Sequence, residues 1–449
     1  MNVHHFVDEG LGHSSFVIEA GDRTAAIIDP PRFTGAHEAL IARLGLELTC
    51  VLDTHSHADY VTGAPALAAR TGAAFVAPAA SRLETPHRPI RHRERVRLGE
   101  DLDVVALATP GHTLDHHAYV IEHAGEPTAL FSGGSLMVGS VGRTDLCGPE
   151  LAEPLARQMF RSLHDQFDDL PDDLTVYPTH GSGSFCGAPG GSHRTTTLGR
   201  ERLANPLLAI HGEEEFVERL LSGFGAFPTY FTRLPELNRL GPRRYDTIPP
   251  LAALTPDEVD QRLADGAVIV DVRPISAYAG GHIPGSISNV LRPVFSSWLG
   301  WLIEPDRPIV FVVDGDQDRC DLVRQCLDVG LERLVGELTG GIDTWTSSGR
   351  RVAPFDLVGP EAAMGQLIDV RQAGEYAAGH VAGARNVELP AITSAPIPAG
   401  PLTIMCGHGE RAMTGASLIA RTGRSDLTVL DGGPDTWVAV TGESLQTGS

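Results

Sequence analysis

Residues 402–411 read LTIMCGHGER, and this stretch decides how the last quarter of the chain folds. The apolar run Leu402–Met405 has the length and composition of a buried strand, and Ala412–Arg421 carries the apolar spacing of a helix. Between them, Cys406–Arg411 contains two glycines, which permit tight backbone turns. The order of strand, glycine loop and helix predicts an α/β domain.

The loop has the composition of an anion cradle. Backbone amides that point inward at the start of a helix stabilise a thiolate, and they can lower a cysteine pKa from about 8.5 to roughly 3.5–7.5. We therefore expect Cys406 and Arg411 to be catalytic, with the sulfur open to its donor. The residues expected to line the substrate site are Gly407, His408, Gly409 and Glu410. The alternative is that Cys406 is only a packed strand-end cysteine.

The second half of the chain contains an internal repeat. The segment Asp271–Gly285 reappears as Asp369–Gly383, and the later Gly340–Trp345 reappears as Gly432–Trp437. Each copy alternates strands with helices, which predicts two small parallel sheets covered by helices.

The last copy resembles the rhodanese family of sulfurtransferases over residues 357–449, and its Cys-x4-Arg spacing is similar to the sulfur-transferring members. In that family the cysteine accepts a sulfane sulfur as a persulfide and passes it to an acceptor. The copy at 252–353 has Asp314 and Arg319 at the matching positions, so the resemblance implies an inactive domain that serves as a spacer or docking unit. A cation site at Asp314, Asp316 and Asp318 is a weaker alternative.

Before the proline-rich linker Gly241–Pro250, residues 1–240 alternate strands with helices and form a third predicted domain. The expected helices include His37–Leu44, Glu150–Phe167 and Glu213–Ser222. The expected strands are Ser15–Ala20, Ala25–Pro30, Leu48–Thr54, Ala73–Ala77, Leu102–Thr109, His117–Glu122, Thr128–Ser132 and Leu174–Tyr177.

Three loops in this domain carry histidines directly after predicted strands: Thr54–Asp59, Thr109–Thr113 and Pro178–Gly181. Imidazoles and a carboxylate that converge on one pocket are what a metal site requires. The candidate metal ligands are His55, His57, Asp59, His112 and His180.

These loops resemble the metallo-β-lactamase superfamily, whose fold is an αββα sandwich, and within it the persulfide dioxygenases. Fusion to an inactive and an active rhodanese-like domain is similar to the persulfide dioxygenase–rhodanese fusions. The resemblance implies one Fe(II) ion on two histidines, matched by His55 and His112, and one aspartate. It also places Arg143 and Cys186 near the thiol substrate.

Two positions depart from that family. Tyr60 stands where the motif ends in histidine, and Gly134 stands where the ligand aspartate is expected. A non-haem iron oxygenase normally uses two histidines and one carboxylate. We therefore expect one Fe(II) or Zn(II) ion, or else a metal-free domain. Zinc would be held by the imidazoles of His55, His57 and His112, with Asp59 and His180 close by, and iron would be held weakly, with Asp59, Asp115 or water substituting for the lost carboxylate.

The composition argues against two classes of binding partner. The formal net charge of −22 argues against nucleic acid and against an anionic membrane surface. No apolar stretch reaches the roughly 18 residues of a membrane span, and the first residues lack the pattern of a signal peptide. Six scattered cysteines fit a reducing compartment, so we expect a cytoplasmic protein.

The favoured hypothesis is a sulfurtransferase of persulfide metabolism that uses Cys406, a small-molecule persulfide or thiosulfate, and a thiol acceptor. The alternatives are a persulfide dioxygenase with altered iron ligation, a zinc-dependent thioesterase, and a non-catalytic persulfide-binding scaffold. The resemblance leaves a homo-oligomer open.

Overall fold

The computed structural model describes residues 1–187 and 193–448, which form two compact units. The first unit holds residues 1–247 together with 326–330, and the second holds residues 248–325 and the chain from 331 onward. The first contains the predicted metal site and the second contains both repeated domains.

The first unit contains two six-stranded sheets. One sheet has the order β1 to β6: β1 (Asn2–Asp8), β2 (His13–Ala20), β3 (Thr24–Ile28), β4 (Glu47–Leu52), β5 (Ala74–Pro78) and β6 (Arg88–Ile90). The other has the order β12 to β7: β7 (Arg95–Arg97), β8 (Leu102–Ala108), β9 (His117–His123), β10 (Glu126–Gly133), β11 (Thr175–Pro178) and β12 (Thr196–Thr197). The helices are α1 (Gly35–Leu44), α2 (Ala64–Thr71), α3 (Pro149–Phe167), α4 (Leu198–Ala204), α5 (Glu213–Ser222) and α6 (Leu234–Leu240).

The two sheets pack face to face, and each is covered by helices on its other side. Phe16 of β2 and Phe131 of β10 meet between the sheets with ring centroids 5.1 Å apart. Leu67 of α2 packs outside the first sheet, and Met159 of α3 packs outside the second. Both faces of each sheet therefore bury apolar side chains, and the expected αββα sandwich is confirmed. All eight predicted strands are present, and no predicted end differs from the observed one by more than two residues.

The second unit contains two sheets of five parallel strands. The middle domain has the order β13-β17-β16-β14-β15, and the third domain has the equivalent order β18-β22-β21-β19-β20. The strands of the middle domain are β13 (Ala253–Leu254), β14 (Val268–Asp271), β15 (Ile287–Ser288), β16 (Ile309–Val312) and β17 (Leu334–Leu338). Those of the third are β18 (Asp356–Val358), β19 (Gln366–Asp369), β20 (Arg385–Asn386), β21 (Leu402–Met405) and β22 (Leu427–Leu430).

Helices connect the strands in both domains, and three helices of the middle domain have counterparts in the third. The middle domain contains α7 (Pro256–Ala264), α8 (Ile275–Gly280), α9 (Phe295–Leu302), α10 (Arg319–Asp328) and α11 (Gly341–Ser347). The third contains α12 (Ala373–Ala378), α13 (Glu410–Ala420) and α14 (Pro434–Thr441). The identical strand order confirms the expected pair of small parallel-sheet α/β domains.

Two general expectations can also be compared with the structure. In the described part of the chain, every helix is too short or too polar to span a bilayer. All six cysteines are free thiols, as their scattered positions predicted.

Candidate functional site

Three histidines meet at the ends of strands in the first unit. His55 follows β4, His112 follows β8 and His180 follows β11, and all three are buried. One ligand atom from each lies within 4.8 Å of the others. The Nε2 atoms of His55 and His180 are 3.3 Å apart, which is about the separation of two nitrogens bound to one tetrahedral zinc ion.

Each of the three imidazoles is held through its other nitrogen. His112 Nδ1 donates to the carbonyl oxygen of Arg143 at 2.8 Å, and His180 Nδ1 lies 3.2 Å from Asp59 Oδ2. His55 Nδ1 is 2.8 Å from Thr54 Oγ1, whose own hydroxyl donates to Asp29. Such contacts fix ring orientation and leave Nε2 free to bind a metal. Among the described residues, His112 Nε2 has no hydrogen-bond partner.

The electrostatics of the cluster also suit a metal ion. Burial lowers the pKa of His55, and it lowers that of His112 to about 3, so both are neutral ligands at pH 7. Burial acts in the same direction on His180, but Cys186 and Asp59 raise its pKa above the ordinary value. A metal bound there would displace that proton. The three residues fit a divalent metal ion.

His57 is placed differently from the other predicted ligands. Its Nε2 lies 3.1 Å from Asp29 Oδ1, and this carboxylate raises the pKa of His57 although burial opposes protonation. The structure groups His57 with Asp59 and His180, and also with Asp29 and Asp53, but not with His55 and His112. The role of His57 as a metal ligand stays a prediction.

There is no room for a side chain at Gly134, the position where the ligand aspartate was expected. A Cβ atom on Gly134 would lie 2.3 Å from His112 Cδ2, so any side chain there would displace the imidazole. Gly134 N instead donates to His116 Nε2 at 2.9 Å. The predicted substitute Asp115 is used elsewhere, because it accepts from the Ser56 amide and other local donors. The third ligand that the geometry offers is the imidazole of His180.

The two predicted substrate residues of this unit are buried. Arg143 forms a two-bond ion pair with Asp145, at 2.7 and 2.8 Å, and its guanidinium carbon lies 4.4 Å from the Phe227 ring centroid. Cys186 has no exposed surface, and burial raises the pKa of its thiol although His180 acts in the opposite direction. Roles for both residues in substrate binding stay predictions.

Three residues of this pocket were missed by the sequence reasoning. Asp29 accepts from Thr54 N at 2.7 Å and anchors the first histidine loop. His116 accepts a hydrogen bond from Gly134 N, and the ring of His13 lies tilted against that of Tyr60 with centroids 3.9 Å apart. The signal for Asp29 was its place directly after a buried strand, where the other site residues also lie.

In the thiol loop of the third domain, a backbone amide of the loop donates a hydrogen bond to the cysteine. Gly409 N donates to Cys406 Sγ at 3.1 Å, and the positive φ of 94° at Gly409 favours glycine. The helix begins at Glu410, two residues earlier than predicted. Cys406 is 1% exposed, so in this conformation the sulfur is covered, whereas the sequence led us to expect an open thiol.

The other predicted residues of this loop differ in exposure and in partners. Arg411 donates to both carboxylate oxygens of Glu375, at 2.6 and 2.7 Å, so its charge is already paired. His408 is exposed, while Gly407 and Glu410 are half-buried. Their roles in substrate binding stay predictions.

In the middle domain, the loop that follows β16 is filled by a side chain. Gln317 accepts from Asp314 N at 2.9 Å and donates to the carbonyl oxygen of Val272 at 2.7 Å. Arg319 pairs with Glu337 at 3.0 Å and donates to backbone carbonyls of its own loop. This loop has no thiol, and its Asp314 and Gln317 amides already have partners.

Comparison with known proteins agrees with this architecture. The family profile of the metallo-beta-lactamase superfamily matches residues 8–180. The profile of the rhodanese-like domain matches twice, at residues 255–348 and 359–440.

Two human proteins are similar to the first unit. Mitochondrial persulfide dioxygenase ETHE1 from Homo sapiens is 30% identical over 206 residues, which are 44% of this chain and 74% of that protein. A hydroxyacylglutathione hydrolase-like protein from Homo sapiens is 36% identical over 169 residues, 36% of this chain. The chain spans only 54% of the length of that second relative.

A solved structure extends the likeness beyond the first unit. The crystal structure of a metallo-beta-lactamase from Staphylococcus aureus subsp. aureus COL has a TM-score of 0.66 and 27% sequence identity. It covers 75% of this chain and 98% of its own, so the shared fold includes more residues than the first unit contains.

Proposed function

The chain belongs to the metallo-β-lactamase superfamily, as a homologue of ETHE1 persulfide dioxygenase that also carries two rhodanese-like domains, and on that premise we propose that it is a sulfurtransferase of persulfide metabolism. Cys406 is the sulfur carrier. The donor is thiosulfate or a small-molecule persulfide, and the acceptor is a thiol.

The proposed reaction has two displacement steps. The Cys406 thiolate attacks the outer sulfur of thiosulfate, the sulfur–sulfur bond of the donor breaks, and sulfite leaves with the bonding pair. The enzyme then holds a cysteine persulfide. An acceptor thiolate attacks the terminal sulfur, forms a new persulfide and releases the Cys406 thiolate, so no external oxidant or reductant is consumed.

The observation that carries this proposal is the amide of Gly409, 3.1 Å from Cys406 Sγ in the turn that begins α13. A backbone N–H directed at sulfur, together with the start of a helix, offers hydrogen-bond donors to an anionic group held at this point. The matched loop of the middle domain has Asp314 at that point, and a carboxylate cannot carry a persulfide.

The reaction also requires access to the sulfur. Because Cys406 is 1% exposed, the residues around the loop must move before a donor can reach it. The free state of all six cysteines supports action in a reducing compartment, and we propose that this compartment is the cytoplasm.

The test is sulfur transfer from thiosulfate to cyanide by the full-length chain. Cys406→Ser should lose the activity by roughly 10³-fold or more, because the nucleophile is removed. Cys320→Ser is the matched control, since Cys320 is an exposed thiol of the middle domain, and it should retain the wild-type rate. Equal rates for the wild type and Cys406→Ser would end the proposal.

A second candidate function, oxidation of a persulfide by O2 in the first unit, is favoured by the convergence of His55, His112 and His180. Bound Fe(II) would supply oxygen chemistry there, and Zn(II) would supply a Lewis acid suited to hydrolysis. In either case Asp59 and the Arg143 carbonyl orient two of the imidazoles, and the buried walls limit the entry of water.

Two measurements separate iron-dependent oxidation, zinc chemistry and a metal-free first unit. They are metal analysis of the purified chain and O2 uptake with glutathione persulfide as substrate. One equivalent of metal that is absent in His180→Ala supports a three-histidine site. Metal-free wild-type protein without O2 uptake would remove the second candidate. If sulfur transfer were also absent while persulfide still bound, a non-catalytic scaffold would remain.

A further inference from the structure

The first strand of the chain is a long sheet edge. In the described part of the chain the four sheets have eight edge strands, and β1 (Asn2–Asp8) contains seven residues. The other edge strands contain only two or three residues each: β6, β7, β12, β13, β15, β18 and β20. Shortness is one means by which a sheet edge avoids pairing with another chain, and β1 lacks it.

The outer edge of β1 is also open and regular. The strand pairs with β2 in an unbroken antiparallel register, from Asn2 opposite Glu19 to Asp8 opposite His13. Alternate residues of such a strand direct their N–H and C=O groups away from the partner strand. Apart from its ladder with β2, the backbone of residues 2–7 makes no hydrogen bond with any described residue. The strand also has no proline and no lysine, which commonly block an edge.

The side chains of β1 alternate between two environments. Val3 packs against the core between the two sheets, and the His5 ring stacks on Phe16 of that core with centroids 4.8 Å apart. Phe6 packs on the helix-covered face, where its ring centroid lies 4.0 Å from that of His37. Residues 3, 5 and 7 therefore share the core face, and residues 2, 4, 6 and 8 share the helix face.

We propose that β1 pairs with β1 of a second copy of this chain, antiparallel and centred on His5, so that the first sheets of the two copies become one continuous sheet. The open backbone groups of one copy would bond to those of the other across a twofold axis. This inference is independent of the proposed sulfur transfer.

The strand is complementary to itself in this register. Opposite residues of an antiparallel pair lie on the same face, so each position meets a side chain of compatible chemistry. The pairs on either side of the axis are Val3 with Val7, His4 with Phe6, and Asn2 with Asp8. His5 meets His5 of the second copy. Burial lowers the pKa of this imidazole, so two neutral rings meet at pH 7.

The first test measures the dissociation constant of the full-length dimer by sedimentation over a dilution series. His5→Lys places two cations opposite each other on the axis, and it should raise that constant roughly 5-fold or more. His5→Gln is the matched control, because it is neutral and keeps a donor for Ser14 Oγ, which lies 2.8 Å from His5 Nε2. It should dimerise like the wild type. A wild type that stays monomeric, or equal constants for all three proteins, would overturn the inference.

A charge swap tests whether residue 5 of one copy lies opposite residue 5 of the other. His5→Glu alone should be weakened like His5→Lys. An equimolar mixture of the two variants should form a heterodimer at least as stable as the wild-type dimer, since the opposed side chains then carry opposite charges. A mixture as weak as either variant alone would reject pairing at His5.

A disulfide reports the same register without a change of charge. Mild oxidation of His5→Cys should link residue 5 of the two copies, because opposite Cβ atoms lie about 4.5–5.5 Å apart, and the mass of the linked peptide identifies the bond. Asn2→Cys is the matched control, since its two copies would lie roughly 20 Å apart along the strands. Absence of the link in His5→Cys, or an equal yield in Asn2→Cys, would overturn the inference.

Discussion

The loops after β16 and β21 occupy the same place in two copies of one domain. Several hydrogen bonds around the two loops are the same, but only the second loop contains a thiol. In the middle domain Arg273 Nη2 donates to Asp271 at 2.7 Å and to the Gly281 carbonyl at 2.8 Å. In the third domain Arg371 Nη2 makes the same two bonds at the same distances, to Asp369 and to the Gly379 carbonyl. The stacked tyrosine and histidine that follow are also repeated, at 4.1 and 3.8 Å.

The two domains differ in the six-residue loops 314–319 and 406–411. At the start of α13, Gly409 directs its amide at a thiol, whereas in the middle domain the Gln317 side chain accepts from the Asp314 amide. The buried ion pairs hold the sheet and its first helix together whether or not the loop is active. Fold and chemistry can therefore be lost separately.

The largest expected effect comes from moving the thiol. In a Cys406→Ser background, Asp314→Cys alone should leave sulfur transfer roughly 10³-fold or more below wild type, because the Gln317 side chain still occupies the loop. Replacing residues 314–319 by CGHGER should allow a persulfide to form in the middle domain, as measured by peptide mass. Full activity from Asp314→Cys alone would show that the loop sequence does not decide the chemistry.

A second, smaller effect is expected from breaking the buried Asp–Arg ion pair that the two domains share. Asp369→Asn and Asp271→Asn each leave a buried arginine without its carboxylate, and each should destabilise its domain by about 3–5 kcal/mol. Hydrogen exchange read by mass spectrometry measures the two domains separately. A large loss in the third domain with none in the middle one would mean that the ion pair serves catalysis and not the frame.

The smallest effect is a pH dependence of the middle domain. Burial lowers the pKa of His282 to about 4 from 6.5, so the unfolded chain binds more protons between these values. Stability should therefore be lost as the pH falls from about 6.5 towards 4, by on the order of 2–3 kcal/mol.

His282→Gln removes this titration, and it should flatten the pH profile of hydrogen exchange in the middle domain. The third domain in the same sample is the internal control. An unchanged profile in the variant would assign the acid sensitivity to other groups.

The sequence was sufficient for the elements whose pattern is local. Leu402–Met405 is a strand with the predicted ends, and Glu213–Ser222 is a helix with the predicted ends, because apolar spacing alone determines them. The short strands β6 and β7 were missed, since arginine and proline occupy positions that pair only through tertiary contacts. The strand ends that bear His55, His112 and His180 were likewise visible in the sequence.

Partners across the fold could not be predicted in the same way. The pairing of Arg411 with Glu375 joins residues 36 positions apart, and that of His57 with Asp29 joins residues 28 apart. Neither spacing leaves a local signal. The contacts of Gly409 with Ile275 and of Arg411 with Trp298 depend on how two domains pack, which the hydrophobic pattern of the sequence does not specify.

Formation of a persulfide on Cys406 can be read from the mass of a single peptide. The full-length chain is incubated with thiosulfate and digested with trypsin, and the peptide that ends at Arg411 is weighed. We predict a gain of one sulfur atom on Cys406 that cyanide removes. An unmodified Cys406 peptide after exposure to thiosulfate and to glutathione persulfide would show that Cys406 is not the sulfur carrier.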